Sequence, residues 1–509
     1  MAAKVYRRHG APTSTTFGNV GEFYLDLDTN DLYKCVDVNT RGETYDEYIT
    51  IYQSEGDNTE YAWVKTGSSV EQLAAFVEGT ASEISCNATK VRSDVFRNYQ
   101  PLTAVDFPAC SSIDTGAFSN CIGLKSVNFP ACTNVGMFAF NSCAKLESAN
   151  FPACTSIGSS AFGWCGGLEN ADFPACTKID GSAFYLCRSL ESINFPACTN
   201  IGTFAFGCCS SLTSVSFPSC TSIGYQAFYD CSSLTSVNFQ ACTSIGSLAF
   251  NGCTSLESVN FAAIKTLSDS AFTYLSSLKY ADFATCTAIG KYAFQNCSRL
   301  TSVNFPACTS IATYAFQACS SLATANFPAC TEIGDYAFNW CINLTTVSAP
   351  ACISVGSSAF EKCSGLKAVD LPVCTFVGGY AFQSCSTMTT VNLPACVTIG
   401  YRGFANCSSL TSVTLPACTT IGEYAFAWCG ALSTVDLSVC TNIGGSAFAF
   451  NANLKTLILR ASTLCSINNY AMNNSGCTIY VPASLLTSYQ NTQYWNGFAN
   501  TFSTIESMT

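Results

Sequence analysis

The stretch Leu124-Lys-Ser-Val-Asn-Phe-Pro-Ala-Cys-Thr-Asn-Val-Gly-Met-Phe-Ala-Phe140 decides the fold, because its pattern returns every 22 residues along most of the chain. Its last residue marks the period most clearly, since phenylalanine recurs from Phe96 to Phe448 at 17 positions spaced 22 residues apart. A fixed period of this length indicates stacked units, each of which buries its apolar face against its neighbours. We therefore expect one solenoid over the repeats rather than several separate globular domains.

Within one unit, the alternation of apolar and polar residues predicts a short strand. Leu124, Val127 and Phe129 are expected to point inward, whereas Ser126 and Asn128 point outward. The spacing follows the pattern of leucine-rich repeats, whose strands pair in parallel from unit to unit. The predicted fold class is a leucine-rich repeat solenoid with a parallel β-sheet of about 17 units, preceded by a small all-β module.

The rest of the unit predicts the turns that lead to the next strand. Pro130 ends the strand, because proline cannot donate to a β-ladder. The position after the next aliphatic residue is glycine in 12 of 16 units, Gly136 in this one, which predicts a backbone with positive φ. Ala139 and Phe140 are then expected to anchor the returning segment in the core.

The 34 cysteines fall mostly into two further columns, each stepping by 22 residues. The predicted buried columns begin with Cys110, Cys121, Cys132, Cys143, Cys154 and Cys165. Where one column has Ile264 the other has Leu275, so both positions accept a bulky aliphatic side chain and select for burial. Disulfides between neighbours such as Cys110 and Cys121 stay an alternative. Free thiols are favoured, because the N-terminus lacks the apolar run of a secretory signal and a reducing cytosol is expected.

The composition argues against several functional classes. A net charge of −11 disfavours nucleic acid or an anionic membrane as the main partner, and the sequence lacks the apolar run that a membrane span needs. The single histidine, His9, leaves a cysteine nucleophile without a base among the repeats, and the cysteine spacing does not fit a zinc site. We therefore expect no enzyme, no metal and no cofactor.

Residues 1–70 differ from the repeats, and their pattern predicts a small β module. Phe23–Asp26 and residues 32–36 are expected to form a hairpin around a turn at 28–31, with residues 61–64 as a third strand. The predicted segments are the β module at 1–70, a connector and N-terminal cap repeat at 71–100, the repeat solenoid at 101–460 and a C-terminal cap at 461–509.

The array resembles the BspA-like leucine-rich repeats of bacterial, protist and phage proteins, on units such as Leu212-Thr-Ser-Val-Ser-Phe-Pro-Ser-Cys-Thr-Ser-Ile-Gly-Tyr-Gln-Ala-Phe228. This resemblance covers about residues 84–509, and the segment from Cys477 to Phe498 is similar to the closing segment of that family. The N-terminal module is more loosely similar to modules of phage tail and virion-surface proteins. That second resemblance implies attachment to a virion through residues 1–70.

A partner is expected to bind along columns that vary between repeats. The outward strand columns, represented by Ser126 and Asn128, are monotonous; they predict a hydrogen-bonded side-chain ladder, with a carbohydrate-binding or ice-like surface as the alternative. Variation lies beside the Ala-Phe pair, where broad, rigid aromatic side chains suit recognition. The predicted receptor-binding residues are Trp164, Tyr274, Tyr292, Tyr314, Tyr336, Trp340, Tyr380, Tyr424 and Trp428. The alternative is that these rings only cover the backbone of the turns.

Together these features predict a non-enzymatic adhesin on a phage virion, such as a tail fibre, made in the host cytoplasm. Its solenoid would bind a bacterial cell-surface glycan or protein, and residues 1–70 would bind other virion proteins. The alternatives are a structural or decorative repeat protein and a bacterial BspA-like adhesin at the cell surface.

Overall fold

The computed structural model describes most of residues 82–508 with side chains, and the backbone of five strands before them. The described ranges are 5–8, 23–26, 32–37, 49–53, 60–65, 82–85, 89–91, 93–468, 470–472 and 476–508, with side chains from residue 82 onward except at 499 and 500. The chain divides into two compact units, Met1–Gln240 and Ala241–Thr509. The turn predicted at 28–31 lies outside the described residues, as do residues 71–81, 86–88 and 92 of the predicted connector and cap repeat. The predicted segment boundaries stay predictions.

The first unit begins with a five-stranded sheet of its own. Its strands are Val5–Arg8, Phe23–Asp26, Leu32–Asp37, Ile49–Gln53 and Glu60–Lys65, and the last of them lies between the third and the fourth. The first two strands pair in parallel, and the other neighbours pair antiparallel. Strands lie at the three positions where the sequence pattern predicts them, and the first and fourth strands are additional.

In the first unit each repeat supplies a long strand and a two-residue short strand. The short strands pair in parallel within one sheet, whereas the long strands pair in parallel within separate sheets of two or three strands. The long strands are Glu83–Ser85, Ala104–Asp106, Ser126–Asn128, Ser148–Asn150, Asn170–Asp172, Ser192–Asn194, Ser214–Ser216 and Ser236–Asn238. The short strands are Lys90–Val91, Ser112–Ile113, Asn134–Val135, Ser156–Ile157, Lys178–Ile179, Asn200–Ile201 and Ser222–Ile223.

The second unit repeats this arrangement and adds short helices near its C-terminal end. The long strands are Ser258–Asn260, Tyr280–Asp282, Ser302–Asn304, Thr324–Asn326, Thr346–Ser348, Ala368–Asp370, Thr390–Asn392, Ser412–Leu415, Thr434–Leu437, Thr456–Leu459, Thr478–Val481 and Phe502–Thr504. The short strands are Ser244–Ile245, Thr266–Leu267, Ala288–Ile289, Ser310–Ile311, Glu332–Ile333, Ser354–Val355, Phe376–Val377, Thr398–Ile399, Thr420–Ile421, Asn442–Ile443 and Ser466–Ile467. The α-helix spans Leu486–Asn491, and the 3₁₀ helices span Ala483–Leu485, Asn496–Thr501 and Ile505–Ser507.

The ladders keep the 22-residue register of the sequence. Ser126 pairs with Ala104 in the long-strand ladder, and Asn134 pairs with Ser112 in the short-strand ladder, both in parallel. This register stacks every column of the repeat upon itself. The predicted fold class is confirmed, because the described residues form a parallel β-solenoid of about 19 turns, with only short helices near the C-terminal end.

Two phenylalanine columns fill the interior of the repeats. In the first unit the Phe140 ring stacks on Phe118 with centroids 5.1 Å apart, and it meets Phe129 edge to face at 6.0 Å. All three rings are fully buried, and burial of one such side chain contributes about 1.5–3 kcal/mol. Val127 from the middle of the long strand is only half-buried. The stacked rings therefore form a continuous apolar column through successive repeats.

The prediction that the glycine column adopts positive φ is wrong. Glycine recurs in this column for a different reason. Among the described residues, the glycines with positive φ are Gly116 and Gly252, which belong to other columns. A Cβ added at Gly136 would lie 2.7 Å from the main-chain carbon of Asp114, and one at Gly158 would lie 2.7 Å from that of Gly136. Successive turns approach closely at these glycines, so glycine is selected there for contact distance, whereas the other four units of the column accept a side chain.

The two cysteine columns lie in the core, and their thiols donate to main-chain carbonyls. The Cys132 Sγ lies 3.3 Å from the Asn134 carbonyl oxygen of its own turn, and the Cys143 Sγ lies 3.2 Å from that of Phe118 in the preceding repeat. Cys110, Cys121, Cys132, Cys143, Cys154 and Cys165 are each fully buried. Burial raises the pKa of Cys143 well above its usual value and that of Cys154 to about 11. These side chains therefore remain protonated and pack as small apolar groups.

Asn451 closes the second cysteine column. Its Nδ2 donates to the Phe426 carbonyl oxygen at 2.8 Å, the contact that the thiol makes in the other repeats. Its Oδ1 also accepts a hydrogen bond of 2.7 Å from the main-chain N–H of Cys429. The side chain is fully buried, so an amide satisfies two polar groups at the last position of this column.

Candidate binding edge

Two positions in each repeat adopt the left-handed backbone conformation, and they flank the core phenylalanine. In the repeat of Phe338 they are Tyr336, with φ of 56°, and Trp340, with φ of 63°. The main-chain N–H of Tyr336 donates to Ser357 at 2.8 Å, and that of Trp340 donates to Glu361 at 2.9 Å, in the following repeat. These two hydrogen bonds connect the turn of one repeat to the turn of the next. We call the side chains at the two left-handed positions of the repeats the aromatic edge.

Many repeats fill these positions with residues that tolerate the left-handed region. Asparagine at Asn120, Asn296 and Asn406 and glycine at Gly252 are the expected choices, since they adopt positive φ most readily. A bulky L-residue in this region costs about 1–2 kcal/mol. Aromatic residues nevertheless stand at left-handed positions in Trp164, Tyr274, Tyr292, Tyr314, Tyr336, Trp340, Tyr380, Tyr424 and Trp428. Their presence is therefore not a requirement of the turn.

The tryptophan column, two residues after the core phenylalanine, contains the most exposed of these rings. Trp164 in the first unit is 57% exposed, and Tyr274 and Trp340 in the second unit are 53% and 48% exposed. Trp164 contacts Tyr185 edge to face at 6.3 Å, so its ring face is not stacked on that neighbour. Such broad, exposed apolar surfaces are features of recognition sites.

The tyrosine column, two residues before the core phenylalanine, is less exposed in the second unit. Tyr292, Tyr314 and Tyr336 stack face to face, with ring centroids 5.0 and 4.7 Å apart. The faces of Tyr314 are covered on both sides, and all three side chains are half-buried. This geometry favours the alternative in which the rings cover the turns, for these three residues.

A second group of rings surrounds a cation further along the same unit. The Trp428 ring stacks on Phe450 at 4.9 Å and on Tyr424 at 5.7 Å. The Arg402 Cζ lies 5.6 Å from the Trp428 centroid and 5.4 Å from the Tyr401 centroid. Phe450, which is 53% exposed, lies in the tryptophan column and could have been found there.

Tyr380 joins this group through Tyr401, since their rings meet edge to face at 5.1 Å. Tyr401 lies three residues before the core phenylalanine, outside the two variable columns, so the sequence pattern does not distinguish it. A similar contact forms earlier in the unit, where the Lys362 Nζ lies 4.1 Å from the centroid of the Trp340 ring. The second unit therefore pairs exposed rings with cations at two places.

The outward strand columns carry side-chain hydrogen bonds between repeats. In the first unit Asn128 donates to Asp106 at 2.7 Å and Asn194 donates to Asp172 at 2.7 Å. The Asn304 amide makes the equivalent bond in the second unit. These contacts are those of the predicted ladder.

Within the described ranges, His, Cys, Asp and Glu form no group suited to a metal ion, and the helices are too short to cross a membrane.

The family model described as the BspA type leucine rich repeat region (6 copies) matches residues 89–206, 177–299, 287–398 and 375–497. The chain belongs to the BspA-type leucine-rich repeat family. BspA-type proteins with this fold are typically non-catalytic scaffolds. The match begins at residue 89, so the resemblance of residues 1–70 to phage modules stays a prediction.

Solved structures of other leucine-rich repeat proteins are similar to this BspA-type chain. A leucine-rich repeat protein from Bacteroides ovatus aligns with a TM-score of 0.51 and 21% identity, over 78% of this chain and 94% of that one. A leucine-rich cell surface protein from Faecalibacterium prausnitzii aligns with a TM-score of 0.29 and 20% identity, over 83% and 96% of the two chains. No curated protein sequence matches the chain. The first similarity concerns the fold alone.

Proposed function

We propose that this BspA-type chain is a non-catalytic adhesin at a cell surface, which binds a surface glycan or protein of another cell through its aromatic edge. Membership of the family supports the location, because BspA-type proteins are cell-surface proteins. The observation that carries the binding role is the occurrence of tryptophan at left-handed positions where other repeats have asparagine. Trp164 and Trp340 combine this unfavourable conformation with exposure of about half of their side chain.

The exposed tryptophans carry two energetic costs that the fold does not require. A tryptophan with positive φ is less stable than asparagine at the same place by about 1 kcal/mol. An exposed indole also leaves apolar area in water, at roughly 25 cal/mol per Å². A contact with a partner removes that area from water, and a rigid ring loses little conformational entropy when it binds. Recognition therefore explains residues that stability alone would replace.

The test compares the full chain with a variant carrying Trp164→Asn, Trp340→Asn and Trp428→Asn. Asparagine occupies the equivalent position at Asn296 and Asn406, so the variant is expected to keep its fold. Binding to a panel of intact bacterial and host cells and to arrayed glycans is expected to weaken about tenfold or more.

The matched control replaces three outward strand residues, Ser148→Ala, Ser214→Ala and Ser258→Ala, and is expected to bind like the unmodified chain. If the unmodified chain bound nothing on the panel, the adhesin proposal would fail. Equal binding by the tryptophan variant and the unmodified chain would instead exclude the aromatic edge as the binding surface.

A second candidate is a phage virion-surface or tail-fibre adhesin, attached to other virion proteins through residues 1–70. It is supported by the sequence resemblance of that segment and by its five-stranded sheet, which is separate from the ladders of the repeats. Mass spectrometry of purified phage particles from the source is the test. Detection of the chain in intact particles, and its loss when residues 1–70 are deleted, is expected under this candidate, and absence from the particles would reject it.

A further inference from the structure

Arg402 has an unusual environment in the second unit. It occupies a left-handed position, with φ of 54°, where other repeats have tyrosine, serine or glutamine. Its guanidinium carbon lies 5.2 to 5.6 Å from the ring centroids of Tyr401, Tyr424 and Trp428. Rings at this distance hold a cation by their negative faces, and they orient the planar guanidinium. The side chain is thus fixed in place by aromatic groups.

The protein does not neutralise this cation. Across the described part of the second unit, no carboxylate lies within ion-pair distance of Arg402, and its buried Nε has no hydrogen-bond partner. Arg460 is the contrasting case, because its Nε and Nη2 donate to the two carboxylate oxygens of Asp436, each at 2.9 Å. A guanidinium carries five N–H donors in a fork that matches a carboxylate. The Nε is buried, so the donors that an external anion can reach are the terminal Nη groups of this half-buried side chain.

A flat apolar surface lies directly beside the cation. The exposed Phe450 ring continues the stack of Tyr424 and Trp428, and Tyr401, whose ring centroid lies 5.4 Å from the Arg402 Cζ, is 37% exposed. A ligand that suits this place carries an anionic group and a flat, weakly polar body of similar size. A sugar ring with a carboxylate has both features. A nucleic acid or an acidic peptide would instead need an extended basic stripe, which a chain of net charge −11 does not offer.

A second cation and ring lie at a spacing suited to a polymer. Lys362 covers the Trp340 ring at 4.1 Å, and its neighbour Glu361 accepts from the Asn339 amide at 3.3 Å. Lys362 and Arg402 belong to repeats that are two apart, which corresponds to about 10 Å along the ladder. A chain with regularly spaced carboxylates could contact both cations at once, whereas a single small anion could not.

We propose that the group formed by Tyr401, Arg402, Tyr424, Trp428 and Phe450 binds uronate residues of an acidic polysaccharide. The carboxylate accepts hydrogen bonds from the Arg402 Nη groups, and the sugar ring packs on the exposed surfaces of Tyr401 and Phe450. Lys362 and Trp340 provide the next contact along the same polysaccharide. This inference rests on the proposed function, since it names the ligand class of the aromatic edge in the second unit.

The experiment measures binding of the full chain to polygalacturonate by isothermal titration calorimetry. The variant Arg402→Gln removes the cation, and Gln226 occupies the equivalent left-handed position of another repeat, so the turn is expected to keep its conformation. The matched control Arg299→Gln removes an exposed charge of the same unit outside the edge. Affinity for polygalacturonate is expected to fall about tenfold in the first variant and to stay unchanged in the second.

Three further probes define the ligand class. Dextran is expected not to bind, because it lacks an anion, and dextran sulfate and polyglutamate are expected to bind about tenfold more weakly than polygalacturonate. Equal affinity for polyglutamate would overturn the saccharide assignment, and equal affinity for dextran sulfate would overturn the carboxylate assignment. Unchanged polygalacturonate affinity of Arg402→Gln would overturn the inference altogether. The proposed function would survive that result if cell binding still required the three tryptophans.

Discussion

The substitution Gly158→Ala tests why glycine recurs in its column. The new Cβ would lie 2.7 Å from the main-chain carbon of Gly136 and 2.7 Å from the Met137 nitrogen. Ordinary contacts between such atoms are about 3.5–4.0 Å, so the two turns must separate by roughly 1 Å. The hydrogen bond of 2.8 Å from Gly158 N–H to the Val135 oxygen would then be lost. Overpacking of about 1–3 kcal/mol and the lost bond of about 1 kcal/mol together lower stability by roughly 2–4 kcal/mol.

The assay is urea unfolding of the full chain followed by circular dichroism. Gly166→Ala is the matched control, because a Cβ at Gly166 meets nothing within 4 Å, and that variant is expected to gain about 0.4–1 kcal/mol. The variant Gly158→Asn separates the two explanations of the column. Asparagine would restore stability if positive φ were the requirement, whereas close contact makes it at least as harmful as alanine. Equal unfolding midpoints for Gly158→Ala and Gly166→Ala would refute the reasoning.

Three other expectations concern the core. Alkaline pH should destabilise the fold, because burial raises the pKa of thiols such as Cys154 to about 11; the unfolded chain loses protons first, so the melting temperature should fall steadily above about pH 9. A flat melting temperature from pH 8 to 10 would contradict this. Asn451→Ala should cost about 1–3 kcal/mol by leaving the Phe426 carbonyl and the Cys429 N–H unsatisfied, measured by urea unfolding against the exposed control Asn453→Ala. Among cysteines 110–477, Cys208 should react first with iodoacetamide in the native state, because it alone is half-buried while the others are buried; peptide mass spectrometry would reveal any earlier modification of a column cysteine.

The sequence is sufficient to predict the fold, since its period survives without an insertion from Phe96 to Phe448. It is not sufficient to explain the glycines. Close contact and positive φ both select for the smallest residue, so Gly136 alone cannot distinguish them. The pairs of turns have to be seen together before the contact with Asp114 becomes visible.

The left-handed positions could not be predicted from the sequence, for the opposite reason. Tyr336 and Trp340 belong to residue types that seldom adopt positive φ, so their pattern gives no sign of the turn that they occupy. The aromatic columns were nevertheless recognisable by their variation. What the sequence could not separate was the stacked Tyr314, covered on both faces, from the exposed Trp340, because both are large aromatic residues beside the same phenylalanine.

The register that stacks every column upon itself also makes neighbouring repeats interchangeable. Loss or duplication of any multiple of 22 codons between Phe118 and Phe426 leaves each phenylalanine, glycine and cysteine above its equivalent. A single recombination event within the gene can therefore shorten or lengthen the surface, and bring distant aromatic residues next to one another, without a compensating change in the interior. Such a protein can change the ligand that it binds faster by recombination of whole repeats than by point substitution.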